Sequence, residues 1–521
     1  MKSHLPIASQ NVTDLGGGRG IPRSGTPWFA PENALKIVLT SGIVVTPCFW
    51  HAWLVAGDFG SHLYNTWLAR LIERGQAPGL WLAPQWYNVL FDLLLKWLAE
   101  ALSIPISGKL AAAIASLLFF WGAFAFVNAA AQRPPWAIIP LLLMVTYGWT
   151  FQKGLLNYYL SVGLAFAGLA FFWGGNGRLR LLLLVISPAI LLAHPIGFVW
   201  FLGGALYLCC SELVPQRFHF LIVLACLGSL CALHWLLWRN YQVAAPARSV
   251  FFYNGLDQMI FTSWYLIPTF ALALFVFFAM GRDLTLRGSE THALQGYLIP
   301  LELYVIVEAS VVLLPESITW SPFAAPSSRL TERFTLISAV LLCCLLGAAK
   351  QRRWFFPPLM AISAVFFILL YRDTSALNRM QEQTWRLVHT AKPGERILVR
   401  ILSPAKYRFA TNHLVDQACV GYCFSYGNYE APSKQFRIRA APGNHYVMGG
   451  FEQVSAMEDG VYIVQPDDLP ASEIYQCGPS WRDLCIRPLQ AGERNDRLGI
   501  HPELSISPIP KKSAGAESAP H

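Results

Sequence analysis

The sequence predicts an α-helical polytopic membrane protein with about eleven transmembrane helices. Two interfacial helices are expected in its first outer loop, and a small C-terminal α/β extracytoplasmic domain closes the chain. Three observations predict this. The 521 residues are 55% hydrophobic and only 13% charged, whereas a soluble globular protein carries about 25% charged residues. Mean hydropathy is +0.42, and apolar runs long enough to cross a bilayer recur from Leu35 to Tyr371. Beyond Tyr371 the composition turns soluble in character. The 19 Trp and 19 Tyr suit long membrane–water boundaries.

Residues 1–34 are rich in Gly, Pro and Ser, which predicts a disordered cytoplasmic N-terminus. No compact signal peptide precedes Leu35, so the run from there reads as a retained anchor. Spans are expected near 35–56, 108–130, 134–150, 155–174, 179–193, 196–213, 217–238, 259–281, 295–314, 331–349 and 354–371. With the N-terminus inside, the inner loops collect Arg19, Arg23, Arg133, Arg178, Arg180, Arg217, Arg282, Arg287, Lys350, Arg352 and Arg353. The positive-inside rule favours that orientation, and KQRRW at 350–354 is its strongest signal. The net charge of +9 is thus distributed as membrane loops distribute it. No nucleic-acid partner is expected, and no zinc spacing, P-loop or dinucleotide fingerprint is present.

This orientation requires that 88–103 stay on the outer side. NVLFDLLLKWLAEALS places Asn88, Asp92, Lys96 and Glu100 on one helical face. A polar stripe on an apolar helix suits one lying in the interface. A twelfth span with its stripe turned into the bundle is the competing reading. In HLYNTWLARLIERG, Leu63, Trp67, Leu68, Leu71 and Ile72 also share a face, and Gly75 is the expected stop. The first outer loop, 57–107, therefore holds two helices joined by APGLWLAPQW. Asp58, His62, Arg70, Glu73, Lys153, Asn157, His194, Arg239, Asp257, Glu316, Arg329, Glu332 and Arg333 all fall on the outer face. Ionisable groups near membrane depth are costly, so such a concentration marks a functional site by default.

Residues 372–505 predict a small α/β domain with strands at RILVRIL (396–402), QFRIRA (435–440), GVYIVQ (460–465) and DLCIRPL (483–489), and helix over 374–391. Residues 506–521 read as a disordered tail. Cys419 and Cys423 form one close pair and Cys477 and Cys485 another. An oxidising outer compartment permits two disulfides; four free thiols are the alternative.

The layout resembles the GT-C superfamily of membrane glycosyltransferases, such as the protein O-mannosyltransferases and the aminoarabinose transferases. Four features carry the resemblance: an acidic residue opening the first outer loop, Asp58 in GDFGSH; two interfacial helices at about 62–75 and 86–103; outer turns with polar residues, FQKGLLNYY (151–159) and AHPIG (193–197); and a closing soluble domain. It covers most of 35–371 as architecture. It implies transfer of a sugar from a polyprenyl-phosphate-linked donor to an extracytoplasmic glycan, lipid or protein acceptor, in a bacterial inner membrane. Family members often carry a second acidic residue beside the first, where this chain has Phe59, and another in the second outer loop, where it has Lys153 and Asn157. No cofactor is assigned; the family includes members with and without a divalent cation.

Such a transfer needs a base near the acceptor and cations for the departing phosphate. Asp58 is the candidate catalytic base of an inverting displacement. His62, Lys153, Asn157, His194, Arg239 and Arg329 are the candidate substrate-binding residues. Plainer roles compete at each: Asp58 as the cap of the following helix, Lys153 as a snorkelling cation, His194 as a turn residue before Pro195, and Arg329, Glu332 and Arg333 as a structural ion network. His62 either orients Asp58 or contacts the acceptor. Two other functions remain: a scaffold for envelope polysaccharide assembly, or a lipid or sugar transporter, which would need broken helices at the midplane.

Overall fold

The computed structural model describes residues 28–246, 253–287, 291–320, 327–350, 353–401, 410–478, 480 and 482–495. Most of the N-terminal segment, the C-terminal tail and Arg352 of the 350–354 cluster lie outside the described residues.

The chain is largely helical. It runs through α1 (Ala34–Phe49), α2 (Phe59–Glu73), α3 (Leu90–Ala101), α4 (Ile104–Ala131), α5 (Ile139–Thr146), α6 (Trp149–Gln152), α7 (Leu156–Trp173), α8 (Gly177–Ile186), α9 (Pro188–Ala193) and α10 (Pro195–Leu213). α11 (His219–Asn240), α12 (Leu266–Arg287), α13 (Thr291–Leu313), α14 (Leu330–Ala348) and α15 (Phe356–Val388) follow. Among the described residues, eight helices are long and apolar enough to cross a membrane: α4, α7 and α10 to α15. The remaining predicted runs are helical but short or interrupted. α1 has 16 residues, α5 and α6 are separated by the Tyr147–Gly148 turn, and the 179–193 run is split where Pro188 starts a new helix after Ser187.

α3 has 12 residues, below the about 20 that a hydrocarbon crossing needs, and is not among the eight helices long and apolar enough to cross a membrane. Its polar stripe is divided between an interior and an exposed part, with Glu100 exposed. Asp92 is buried and meets His62 of α2, while Lys96 pairs with Glu73 at 2.6 Å. The stripe holds α3 against α2. Meanwhile Trp97 and the preceding Trp86 are exposed.

The bundle core is large and apolar, centred on α4, α7 and α14, where Phe119, Phe120, Phe124, Tyr159, Phe166, Leu341 and Cys344 are sealed from solvent. Residues predicted for opposite faces gather at opposite ends. At one end Arg133 donates to the carbonyls of Gly347 and Ala348, and Arg180 reaches Glu212. At the other end stand Asp58, Lys153, His194, Arg333 and the C-terminal domain.

α15 is one helix of 33 residues, so the change of composition at Tyr371 is not a break in the backbone. It leads into a four-stranded sheet of order β5-β4-β7-β8, built from β4 (Arg396–Arg400), β5 (Phe424–Ser425), β7 (Ala471–Gln476) and β8 (Leu484–Pro488). β4 is parallel to β5 and β7, and β8 is antiparallel to β7. GVYIVQ is not a strand; only Ile463 makes an isolated bridge, to Arg494. The central β7 was not expected, because its sequence SEIYQ is polar. Its buried Glu473 is held by Arg487 at 2.8 Å. Both cysteine pairs are disulfides, Cys419–Cys423 and Cys477–Cys485.

Sequence reading also missed how the first loop and this domain join. β1 (Leu80–Leu82), inside the Pro/Trp-rich connection, pairs antiparallel with β6 (Ile438–Ala440). A further two-stranded ribbon, β2 (Gln242–Ala244) with β3 (Ser317–Thr319), ties the connections after α11 and α13.

Candidate active site

Three segments far apart in sequence meet at Asp58. The first is its own loop. Asp58 occupies the cap position of α2, yet its side chain makes no capping hydrogen bond, so the capping role does not account for it. The second is the turn between α6 and α7. The Asp58 amide donates to the Lys153 carbonyl at 2.9 Å. Gly154 has φ +76°, and a Cβ there would lie 2.5 Å from the Asp58 nitrogen. Only glycine permits both that conformation and that approach. The third is the C-terminal domain, whose His413 carbonyl lies where any Cβ on Gly60 would fall. Gln417 in the helix Leu414–Cys419 reaches the Leu54 carbonyl at 3.3 Å, and the Ser425 amide donates to Tyr64 Oη at 3.0 Å.

Around the carboxylate, Lys153 Nζ lies 3.8 Å and His413 Nε2 3.7 Å from Asp58 Oδ1. Asp58 keeps 23% of its side chain exposed, while Lys153 keeps 5% and His413 13%. The carboxylate thus stays partly open, with buried basic groups around it. Lys153 is too deeply enclosed to be snorkelling. Burial works to raise the Asp58 carboxyl, but Lys153, His413, His62 and Arg329 outweigh it and hold it below the ordinary value. Burial lowers Lys153, against the pull of Asp58.

His413 was not legible as a site residue. Its Nδ1 is held by Asp416 Oδ2 at 2.7 Å, and the other Asp416 oxygen accepts from the Ser425 hydroxyl. Burial works to lower His413, but Asp416 and then Asp58 raise it above the ordinary histidine value.

His62 bonds Asp92, and only its charge reaches Asp58. Its Nδ1 meets Asp92 Oδ1 at 2.8 Å. Asn157 donates to Asp92 Oδ2 at 2.8 Å and to the Asn88 carbonyl at 3.1 Å, and accepts from the Phe91 amide at 2.7 Å. Asn157 therefore anchors the start of α3, with none of its polar atoms left over for a ligand.

His194 stands beside Arg333, whose Nη1 is 3.0 Å from its Nε2. Burial and that guanidinium hold His194 well below the ordinary value, so it is a neutral imidazole. The cation here is Arg333. It stacks over Tyr158, its Nε has no hydrogen-bond partner among the described residues, and its Nη1 meets an imidazole. Arg329 pairs with Glu332 at 3.1 Å, lies over Trp149, and its charge is felt at Asp58. Of the expected ion network, Arg329 and Glu332 form the close pair, and both charges also act on Arg333 from farther off. Arg239 stands apart, exposed at the end of α11 and stacked on Trp235.

Towards the bundle, Gln258 accepts from the Thr150 hydroxyl at 2.9 Å and donates to Thr335 at 2.7 Å. Next to it opens an apolar groove of about 370 Å³, lined by Val145, Met259, Ala273, Phe277, Ala339 and Leu342 among others. No group of three or more His, Cys, Asp or Glu able to hold a metal occurs among the described residues. No family model, curated protein or solved structure matches the chain.

Proposed function

We propose that the protein is an integral-membrane glycosyltransferase of GT-C type. It moves a sugar from a polyprenyl-phosphate donor to an extracytoplasmic acceptor, with Asp58 as general base in a single inverting displacement. In this reading α1, the α5–α6 segment and the α8–α9 segment complete eleven crossings. The N-terminus is cytoplasmic, and α2, α3 and the C-terminal domain lie on the outer face, with the exposed Trp86 and Trp97 at the lipid boundary.

One observation carries the proposal. A partly open carboxylate, Asp58, shares one end of the bundle with two enclosed cations, Lys153 and Arg333, and among the described residues Arg333 makes no close ion pair, the Asp58 and Glu332 charges acting on it from farther off. A buried cation without a counter-charge in direct contact is expensive unless an anion comes to it. A phosphate between Lys153 and Arg333 would meet that need, with Arg333 offering a planar fork and Lys153 a point charge. The apolar groove beyond Gln258 suits the hydrocarbon tail of such a donor. The acceptor hydroxyl attacks sugar C1 as the C1–O bond to phosphate breaks, the electron pair leaves on the phosphate, and the hydroxyl proton moves to Asp58. No step needs a metal.

The test is transfer by the purified full chain from a panel of polyprenyl-phosphate sugars. Asp58→Asn is expected to lower transfer by roughly a hundredfold or more, the range for loss of a general base. Arg333→Gln is expected to weaken donor binding. Full transfer by Asp58→Asn would remove Asp58 as the base.

A further inference from the structure

We infer that His413, brought in by the C-terminal domain, receives the acceptor's proton from Asp58, so that this domain supplies part of the catalytic centre. The inference rests on the transferase reading above and deepens it.

The geometry is that of an oriented imidazole. Asp416 Oδ2 sits 2.7 Å from His413 Nδ1, and Asp416 is itself fixed by the Ser425 hydroxyl. In the neutral ring this places the proton on Nδ1 and the lone pair on Nε2, as a buried carboxylate does for the histidine of a catalytic triad. Nε2 points at Asp58 Oδ1 from 3.7 Å, a distance that acceptor binding can close to a hydrogen bond. The support is built in. Asp416 lies on the short helix Leu414–Cys419, whose last residue is clamped by the Cys419–Cys423 disulfide. The His413 backbone is pressed against Gly60.

The route balances. As the acceptor oxygen bonds to C1, its proton passes to Asp58 Oδ1 and then to His413 Nε2. The imidazolium that forms is stabilised by Asp416 on one side and by the restored Asp58 carboxylate on the other. Asp58 is a poor resting place for a proton, because Lys153 lies against it. The groups facing His413 are Asp416 on its own segment, Asp58 from the first loop, Lys153 from the α6–α7 turn and Glu458 from the domain. The Tyr429 ring packs 5.2 Å from the imidazole. Because the two carboxylates raise His413, the ring must lose its proton before each cycle. Transfer should therefore have an acid limb above the ordinary histidine value of about 6.5.

Two measurements on the full chain in lipid nanodiscs test this. NMR titration of labelled histidine should show His413 titrating above 6.5, and both Asp58→Asn and Asp416→Asn should lower it. The pH profile of transfer should follow. His413→Gln should lose about tenfold or more in rate together with its acid limb, and Asp416→Asn should move that limb to lower pH. A titration unaffected by Asp58→Asn overturns the coupling. A slow His413→Gln that keeps the wild-type acid limb overturns the proton route and leaves a packing role. Absence of transfer by the wild type, with the coupling measured and intact, removes the transferase reading and the route with it.

Discussion

Asp58 and Asp92 lie in the same loop region between α1 and α4, each faced by a histidine and by a residue from the start of α7 or the turn before it. They are built to opposite ends. Asp92 is sealed, with His62 and Asn157 both at 2.8 Å on its two oxygens. Asp58 is partly open, and its nearest cations stand at 3.7 and 3.8 Å, beyond hydrogen-bond reach. A carboxylate whose oxygens are both bonded holds two helices together and has little left to offer a ligand. A carboxylate held only by charge keeps its lone pairs for one. Residue type and loop position are shared, so the contrast in function lies entirely in the distance and number of partners.

The largest effect is expected where the satisfied carboxylate is removed. Asp92→Ala leaves His62 without its partner and removes one Asn157 bond, all in a buried setting. Breaking one side of a buried, bonded pair costs about 3 kcal/mol or more, and thermal melting should report a loss of that size. The pH dependence follows from both partners. Burial works to raise the Asp92 carboxyl, but His62 chiefly holds it below the ordinary value. Its contribution is therefore present above about 3.8 and is lost as pH falls through the lower folded value. Burial works to lower His62, but Asp92, then Asp58 and Glu430, raise it. Its contribution is present below about 6.5 and is lost as pH rises through the higher folded value. The stability gap between wild type and Asp92→Ala should thus be widest between about 4 and 6.5. A gap that stays constant from pH 4 to 9 would contradict the assigned pair.

The next effect concerns what keeps Asp58 in place. Gly154→Ala forces a left-handed backbone on alanine and drives its Cβ to 2.5 Å from the Asp58 amide. The strain is about 1–2 kcal/mol, and the loop must shift to relieve it. Transfer should fall by about tenfold, since small misplacements of a reacting group cost that much or more. The Asp92–His62 bond lies outside this turn, so the wild-type pH window of stability should persist. Unchanged transfer would show that the α6–α7 turn does not set the position of Asp58.

Part of this contrast was legible in sequence. The apolar runs located the helices, because hydrophobic length alone identifies them. Asp58 and Lys153 were legible because each follows an apolar run at the same end. The distinction between His62 and His413 was not. His62 stands one helical turn from Asp58 in sequence, which suggested a pair, but the α2 helix aims it at α3. His413 lies in a soluble segment without motif, and it is the pairing of β1 with β6 together with the contacts of Gln417 and Ser425 that brings that segment over the loop. A three-residue strand inside APGLWLAPQW carries no alternating pattern long enough to be read. Arg333 was seen, but as one of an ion cluster; that it makes no close ion pair among the described residues is a fact of side-chain placement.

The smallest expected effect is a difference near zero, and it separates chemistry from architecture at Asp58. If the carboxylate capped α2, Asn would replace it well, because asparagine caps about as strongly as aspartate, and Ala would lose about 1 kcal/mol more. The side chain makes no capping bond. The α2 backbone at this point is held by other means: the Asp58 amide donates to the Lys153 carbonyl and the His62 amide to the Asp58 carbonyl. Neither bond involves the carboxylate. Both substitutions remove the same negative charge from Lys153 and His413, so both should lower stability equally. Asp58→Asn and Asp58→Ala are therefore expected to melt at the same point, within about 0.5 kcal/mol of each other, and to be equally inactive in transfer. A clearly lower melting point for Ala, with Asn close to wild type, would make Asp58 a cap after all. Asp58 and Asp92 would then be two structural carboxylates, with the site to be sought at Lys153 and Arg333.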